Sequence, residues 1–384
     1  MRYANPRIQE TAQRIPVLCG LFFVIFCTLF LYFYQGCNLA QTQHLLSQGT
    51  TTYRPLIAAG LSSFILLILG VALSLALRRM PLRLKCVSWF PSFVLLGIFT
   101  QRHFVQFGEA ESPDKWWLYL LLLVIFLLLV YAGNLFPDSS KEHKSSSAYV
   151  WPNLMQLVLY SVVCVSISNQ NPTIHRTLRA NQAIGLQQYD RALELLGQEE
   201  SPSRSNSAMV AYALSRKGKL ADSLFCYPQH YGSEGLFPLL KDTLMVVNLP
   251  LTIGRHLGYM KGDHLKATRF LEQVRLLDTK ESPQVKDYML CAYLLDRDVP
   301  RFVDAMGIDS LVQDLPHHYS EALALYESMS GDSVNNCSVE LMRKPLHRFL
   351  RKRKRGSKLD EFATTYWYYY FGLNDDRRQS DLRR

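Results

Sequence analysis

The chain has 384 residues, of which 42 are Lys or Arg and 32 are Asp or Glu, for a formal net charge of +10 at pH 7. Residues 1–170 hold 12 basic and 6 acidic side chains and residues 171–384 the other 30 and 26, an imbalance that excludes one uniform soluble globule. In the second part the run Arg351, Lys352, Arg353, Lys354, Arg355 exceeds the whole basic surplus, so no dispersed face for phosphates remains and nucleic acid is not an expected partner.

Five charge-free apolar segments fill the first part, at 15–34, 56–77, 86–101, 116–136 and 148–168. At about 1.5 Å per residue, four of them match the ~30 Å of hydrocarbon that a helix must cross while satisfying its own backbone. The third is shorter and contains Pro91, which leaves it tilted, re-entrant or extended past Arg102 to Phe107. The first follows Arg14 without a small-x-small cleavage site, so it reads as a retained anchor. Gly36-Cys37 lacks the preceding aliphatic and small residues of a lipoprotein signal.

Aromatic side chains gather at the segment ends, with Tyr32 and Tyr34 closing the first, Trp116 and Trp117 opening the fourth and Trp151 in the fifth; these are expected membrane-interface anchors. The second segment carries small residues at four-residue spacing (Ala58 and Ser62, Ala59 and Ser63, Gly70 and Ser74, Ala72 and Ala76), a pattern for close helix approach. Basic loop residues set the orientation. Arg2, Arg7, Arg14, Arg78, Arg79, Arg83, Lys85, Lys141 and Lys144 lie on one side, against Arg54, Arg102 and Lys115 on the other, so the N-terminus is expected in the cytoplasm. Five crossings then carry residues 171–384 across the membrane, whereas loss of the third would reverse that side.

From Asn171 onward, apolar residues recur at helical spacing, which predicts an all-helical second part. Cys226, Cys291 and Cys337, without a C-x-x-C pair, read as buried small hydrophobes. Around 181–196 the string QQYDRALELL places Tyr189, Ala192, Leu193 and Leu196 on one face. The string AYALSRKGKLADSLF, 211–225, repeats the idea about 31 residues later. These strings resemble tetratricopeptide repeats, with weaker echoes at 293–302 and 319–326. That resemblance implies helical hairpins, with Ala211 packed near Leu224. Pro228 to Pro250 fits no repeat. The whole plan, with the endings LPHHYSEAL and TTYWYYYF, is similar to an uncharacterised family of bacterial membrane proteins with tetratricopeptide-like tails. This implies a bacterial inner-membrane location with a periplasmic second part, and no known reaction.

No phosphate-binding loop, nucleophile elbow, zinc-protease or calcium-loop pattern occurs. His317-His318 hints at a metal, but adjacent helical residues point about 100° apart and Asp314 and Glu321 suit a solvated helix start. The spans carry no charge for ion-coupled transport. Glu109, Glu111 and Asp114 form the one acidic constellation near the membrane. It resembles the acidic loop of polyprenyl-sugar glycosyltransferases, which makes a transferase using Glu109 or Glu111 the alternative activity.

The expected fold is therefore all-α, a transmembrane helix bundle (1–170) followed by a tetratricopeptide-like helical solenoid (171–384). The expected function is a non-enzymatic, membrane-anchored scaffold, since stacked hairpins offer a concave groove to a protein or peptide partner. The lipid bilayer is the other partner, and no catalytic residue, cofactor or metal is expected. At the tail, Leu359, Phe362, Ala363, Tyr366, Tyr369 and Tyr370 predict a helix with one apolar face. With Trp367 and the run Arg351 to Arg355 it forms either a terminal cap or a lipid-facing surface.

Overall fold

The structure, a computed structural model, describes residues 6–47, 51, 53–101, 116–135, 147–199, 202–238, 249–262, 265–277, 282–307 and 314–372. Among these residues all regular elements are helical and none is a strand, as the sequence predicts. The chain divides into two compact units, Met1–His175 and Arg176–Arg384.

In the first unit, α1 (Pro6–Leu29) runs into a π turn at Phe30–Tyr34, then come α2 (Gly36–Leu46), α3 (Pro55–Ala76) and a 3-10 stretch at Leu82–Trp89. The last leads into α4 (Phe90–Gln101), followed by α5 (Trp116–Leu135) and α6 (Ser147–Ile167). Five stretches are long and apolar enough to cross a membrane: Gln13–Tyr34, Pro55–Ala76, Leu82–Gln101, Trp117–Leu135 and Ser147–Ile167. The third gains its length at the N-terminal side, taking in Arg83 and Lys85, and Pro91 sits in the first turn of α4, where a missing N–H costs no bond. The extension expected beyond Arg102 lies outside the described residues. The third stretch is 56% buried and the fourth only 6%, so the shortest apolar segment of the sequence is the centre of the unit.

That centre is Trp89, 1% exposed. A Cβ on Gly70 would come within 2.5 Å of its indole and one on Gly20 within 3.3 Å, so α1 and α3 close on the ring only because both positions lack a side chain. The small-residue pattern of α3 is thereby resolved: Ala59, Ser63 and Gly70 face inward, with Ser63 Oγ 3.2 Å from Thr28 Oγ1, while Ala72 and Ala76 are exposed. Cys19 on α1 and Cys86 on the 3-10 stretch form a disulfide.

In the second unit three hairpins share one turn. α7 (Pro172–Gly185), at whose start the units divide, passes through Gln187 (φ 60°) into α8 (Tyr189–Leu196). α9 (Arg204–Arg216) passes through Gly218 (φ 66°) into α10 (Leu220–Ser223), which a 3-10 turn at Leu224–Cys226 prolongs. After α11 (Leu249–Leu257) and α12 (Ala267–Leu277), α13 (Pro283–Leu295) passes through Arg297 (φ 61°) into α14 (Val299–Met306). Each turn closes with the same pair of bonds: Gln188 to Ala183 O at 2.8 Å, Lys219 to Leu214 O at 2.9 Å and Asp298 to Tyr293 O at 2.9 Å, each beside a shorter loop from the left-handed residue. This is the Schellman closure, which satisfies the last carbonyls of the first helix while reversing the chain. Ala211 and Leu224, each 1% exposed, lie on the α9 and α10 sides of the second hairpin.

α15 (His317–Ser330), α16 (Cys337–Lys354) and α17 (Tyr366–Tyr370) complete the unit. The first helices α9, α13 and α15 are buried nearly all round. Their open side is filled by the chain itself: a 3-10 turn at Gly232–Leu236 lies on α9 and α13, and α17 lies on α15. Arg204 fixes the former, donating to Glu234 O and Phe237 O at 2.9 Å and to the Glu234 carboxylate at 2.6 Å. The stretch after Pro228 that fits no repeat is thus, over its described residues, a cover for the hairpins.

The tail departs from its expected single helix. A 3-10 turn at Asp360–Phe362 ends before Thr365, whose hydroxyl caps α17 by accepting from the Tyr368 N–H. Tyr366, Trp367, Tyr368 and Tyr369 are then buried in succession, because the segment is inserted into the unit instead of lying on it with one face. Of the cysteines, Cys291 is buried as expected, but Cys226 and Cys337 are exposed: the first ends a 3-10 turn and the second begins α16, so both lie at element ends.

Candidate functional site

Among the described residues one group of His, Cys, Asp or Glu side chains brings its ligand atoms within 4.8 Å of one another: His317, His318 and Glu321, at the start of α15. A helix places residues i and i+4, or i and i+3, on one face, so both rings reach the same carboxylate although they point apart from each other. His318 Nδ1 lies 2.8 Å from Glu321 Oε2 and His317 Nε2 3.2 Å from Oε1. Glu321 is 1% exposed and His318 fully buried, which overturns the expectation of a solvated helix start.

Glu321 gathers three parts of the unit. Its Oε2 also accepts the Tyr366 N–H at 2.8 Å, its carbonyl accepts the Trp367 indole N–H at 2.8 Å, and Tyr369 reaches past it to donate to Leu295 O at 2.6 Å. His318 Nε2 accepts the Phe225 N–H at 3.3 Å, and Asp222 Oδ1 accepts the His317 N–H at 2.7 Å, so the end of α10 caps α15 across the fold. Burial raises the Glu321 pKa, but the bonds from His317, His318 and the Tyr366 N–H outweigh it and hold the carboxyl below its usual range. The bond to Glu321 in turn raises His317.

The donor set of a metal site with two histidines and one carboxylate is present, yet the surroundings argue against one. A metal on His318 Nδ1 would move the ring proton to Nε2, where it would face the Phe225 N–H, donor against donor. Glu321 Oε2 is likewise already engaged by a backbone donor. The cluster works as a structural clamp: one ionised carboxylate, desolvated but fully bonded, ties α10, α15 and α17 together.

The other expected site residues are dispersed. Glu109 and Glu111 lie outside the described residues, as does Asp114. Tyr32, Tyr34, Trp117 and Trp151 are 38%, 36%, 56% and 58% exposed at their helix ends, and of Trp116 only the helical backbone is described. Trp367, 1% exposed, is inside the second unit and not available to headgroups. Lys352 and Arg348 pair with Glu361 at 2.7 and 3.0 Å, and the Arg353 guanidinium stacks 3.8 Å from the Phe371 ring centroid, whereas Arg351, Lys354 and Arg355 point outward.

Sequence reasoning looked for charges in the spans and passed over neutral amides. Asn153 of α6, fully buried, accepts the Cys86 N–H at 2.9 Å and donates to Leu82 O and Tyr149 O at 2.7 Å, replacing the bonds a 3-10 stretch leaves unmade. At one end of the unit Gln35 donates to Asn169 O at 3.1 Å and Asn38 to Thr100 O at 3.2 Å. An amide inside an apolar helix was the available signal, since a side chain that must bond in lipid bonds to a neighbouring helix.

Helices fit to span a membrane joined to a hairpin-built helical unit define the class of protein: an all-helical chain with apolar candidate spans and no assembled catalytic geometry among the described residues. The family of unknown function DUF6057 matches residues 12–270 and 255–372, and the chain belongs to that family. No curated protein and no solved structure matches it.

Proposed function

We propose that the chain is an integral protein of a bacterial inner membrane whose periplasmic, tetratricopeptide-like second unit is a scaffold for a protein partner. The observation that carries this reading is the repeated hairpin turn at Gln187, Gly218 and Arg297 in a chain that also holds five apolar candidate spans. Repeated hairpins present extended surface, and a clamp with every strong group engaged is what a binding module needs for rigidity.

The inner side of the hairpins being filled, the surface on offer is an open groove of about 560 Å³ between α8 and the α9–α10 turn, lined by Leu193, Glu194, Lys217, Lys219 and Tyr227 among others. Its mixture of both charges with a tyrosine and a leucine suits a polar peptide with an apolar anchor. Crosslinking of the full-length protein in its membrane, then purification in mild detergent and mass spectrometry, tests the reading. A stoichiometric protein that is lost from the double variant Glu194→Lys, Lys219→Glu is the expected result. A lipid-linked sugar as the sole companion, with turnover abolished by Glu109→Gln, would replace the scaffold by a transferase.

A further inference from the structure

α16 has two opposite faces. One holds Val339, Leu346 and Phe349, all buried, and beside them Lys352 and Arg353 are bound to Glu361 and Phe371. Directly opposite, at three- and four-residue steps, stand Leu341, Lys344, Arg348, Arg351 and Arg355, flanked by His347 and Lys354, and all of them are exposed. Arg348 is paired with Glu361; among the described residues no carboxylate lies within ion-pair distance of Lys344, Arg351, Lys354 or Arg355. Cations in the last turn offset the helix dipole, which accounts for Arg351 and Lys354 but not for Lys344 or Arg348 farther back.

We infer that this basic edge of α16 is a docking surface for the anionic headgroups of a lipid bilayer, a reading that rests on the membrane location proposed above. Three observations select that occupant. The edge runs as one row along α16, which continues as a helix through Pro345, and so offers headgroups a line of contacts and not a single point. Apart from Glu340 in the first turn of α16 its charges are all positive, and no exposed Phe, Tyr or Trp is interleaved for stacking on bases. The same chain holds the apolar spans, so a headgroup plane is tethered to the edge at high effective concentration, whereas a nucleic acid or an acidic protein has to be recruited. Leu341, 67% exposed at one end of the edge, adds an apolar side chain of the kind that enters the headgroup layer.

The test uses the full-length chain in nanodiscs of phosphatidylcholine with or without phosphatidylglycerol. A nitroxide is placed at Ser357→Cys, beside the edge, with Cys37, Cys226 and Cys337 replaced by Ser. Shielding of the label from a water-soluble relaxation agent should be at least about threefold greater with phosphatidylglycerol, and about 1 M salt, where the screening length is ~3 Å, should abolish the difference. Lys344→Gln, Arg351→Gln, Lys354→Gln and Arg355→Gln together should remove it, while the same number of neutralised cations elsewhere (Arg191, Lys266, Arg269 and Lys286 to Gln) should leave it. Equal shielding in both lipids, a difference insensitive to salt, or an equal loss in the control variant overturns the proposal. So does shielding in phosphatidylcholine discs on addition of an oligonucleotide, which would assign the edge to nucleic acid. Release of the chain from native membranes by alkaline carbonate would instead overturn the membrane reading beneath it.

Discussion

Glu321 shows how a buried charge is tolerated: each oxygen has a donor, and the donors come from α15 itself and from the chain before Trp367. Glu321→Gln keeps the shape but removes the charge: with the amide oxygen toward His318 and the Tyr366 N–H, the NH2 faces His317 Nε2, which has to be neutral to accept it, so the charge-assisted bonds are lost. A loss of about 2–3 kcal/mol in unfolding free energy is expected, read by hydrogen exchange of α15 peptides in the detergent-solubilised chain. pH acts on the same bonds. Glu321 is held below its usual value of 4.5, so its contribution is complete above about that pH and is lost as the pH falls through its folded value. His317 is raised above 6.5, so its contribution is complete below that pH and fades as the pH rises through its folded value. Protection of α15 should therefore be greatest between about pH 4.5 and 6.5, with a shallow decline on the alkaline side because His317 is half exposed and screened. Protection that rises steadily to pH 8 would contradict the assignment.

The hairpins carry the element scale. Their turns need a left-handed residue, yet only Gly218 of the three is a glycine, while Gln187 and Arg297 adopt φ near 60° with a Cβ present. A left-handed non-glycine costs about 1 kcal/mol. Opposite signs follow: Gly218→Ala should destabilise by about 1 kcal/mol and Gln187→Gly should stabilise by up to that amount, less what glycine adds to the unfolded chain. Chemical denaturation of the two variants checks the pair, and equal signs would refute a shared turn. Within the second hairpin Ala211 is 1% exposed, so Ala211→Glu buries an unpaired carboxylate. A cost of about 3 kcal/mol or more is expected, and a variant that melts with the parent would place Ala211 elsewhere.

At the scale of the whole molecule the basic loop residues predict which side each unit occupies. Reporter fusions at Gly49, Ser139 and Arg384 give the measurement: alkaline phosphatase should be active at Gly49 and Arg384 and inactive at Ser139. A bright fluorescent protein at Arg384 with silent phosphatase would put the second unit in the cytoplasm. The third stretch, Leu82–Gln101, decides the parity. Its burial around Trp89 explains why it is less apolar than its neighbours: a helix in contact with protein on most sides needs fewer lipid-compatible residues.

By itself the sequence determined what is local. Runs of uncharged apolar residues specify spans because lipid tolerates no unbonded backbone, and helical periodicity with Gly218 at a boundary specifies a hairpin because few residues accept that turn. Tertiary structure alone decided what depends on distant partners. Which small residues of α3 face inward depends on where Trp89 enters, and the tail is a cap and not an amphipathic helix because Thr365 stops it and Glu321 receives it. For His317-His318 the spacing to Glu321 is local, but the partners that bury this cluster and complete its bonds, the Phe225 and Tyr366 N–H groups, come from distant parts of the chain. Such contacts join residues tens of positions apart, and their energies come from desolvation and donor geometry that no local pattern encodes.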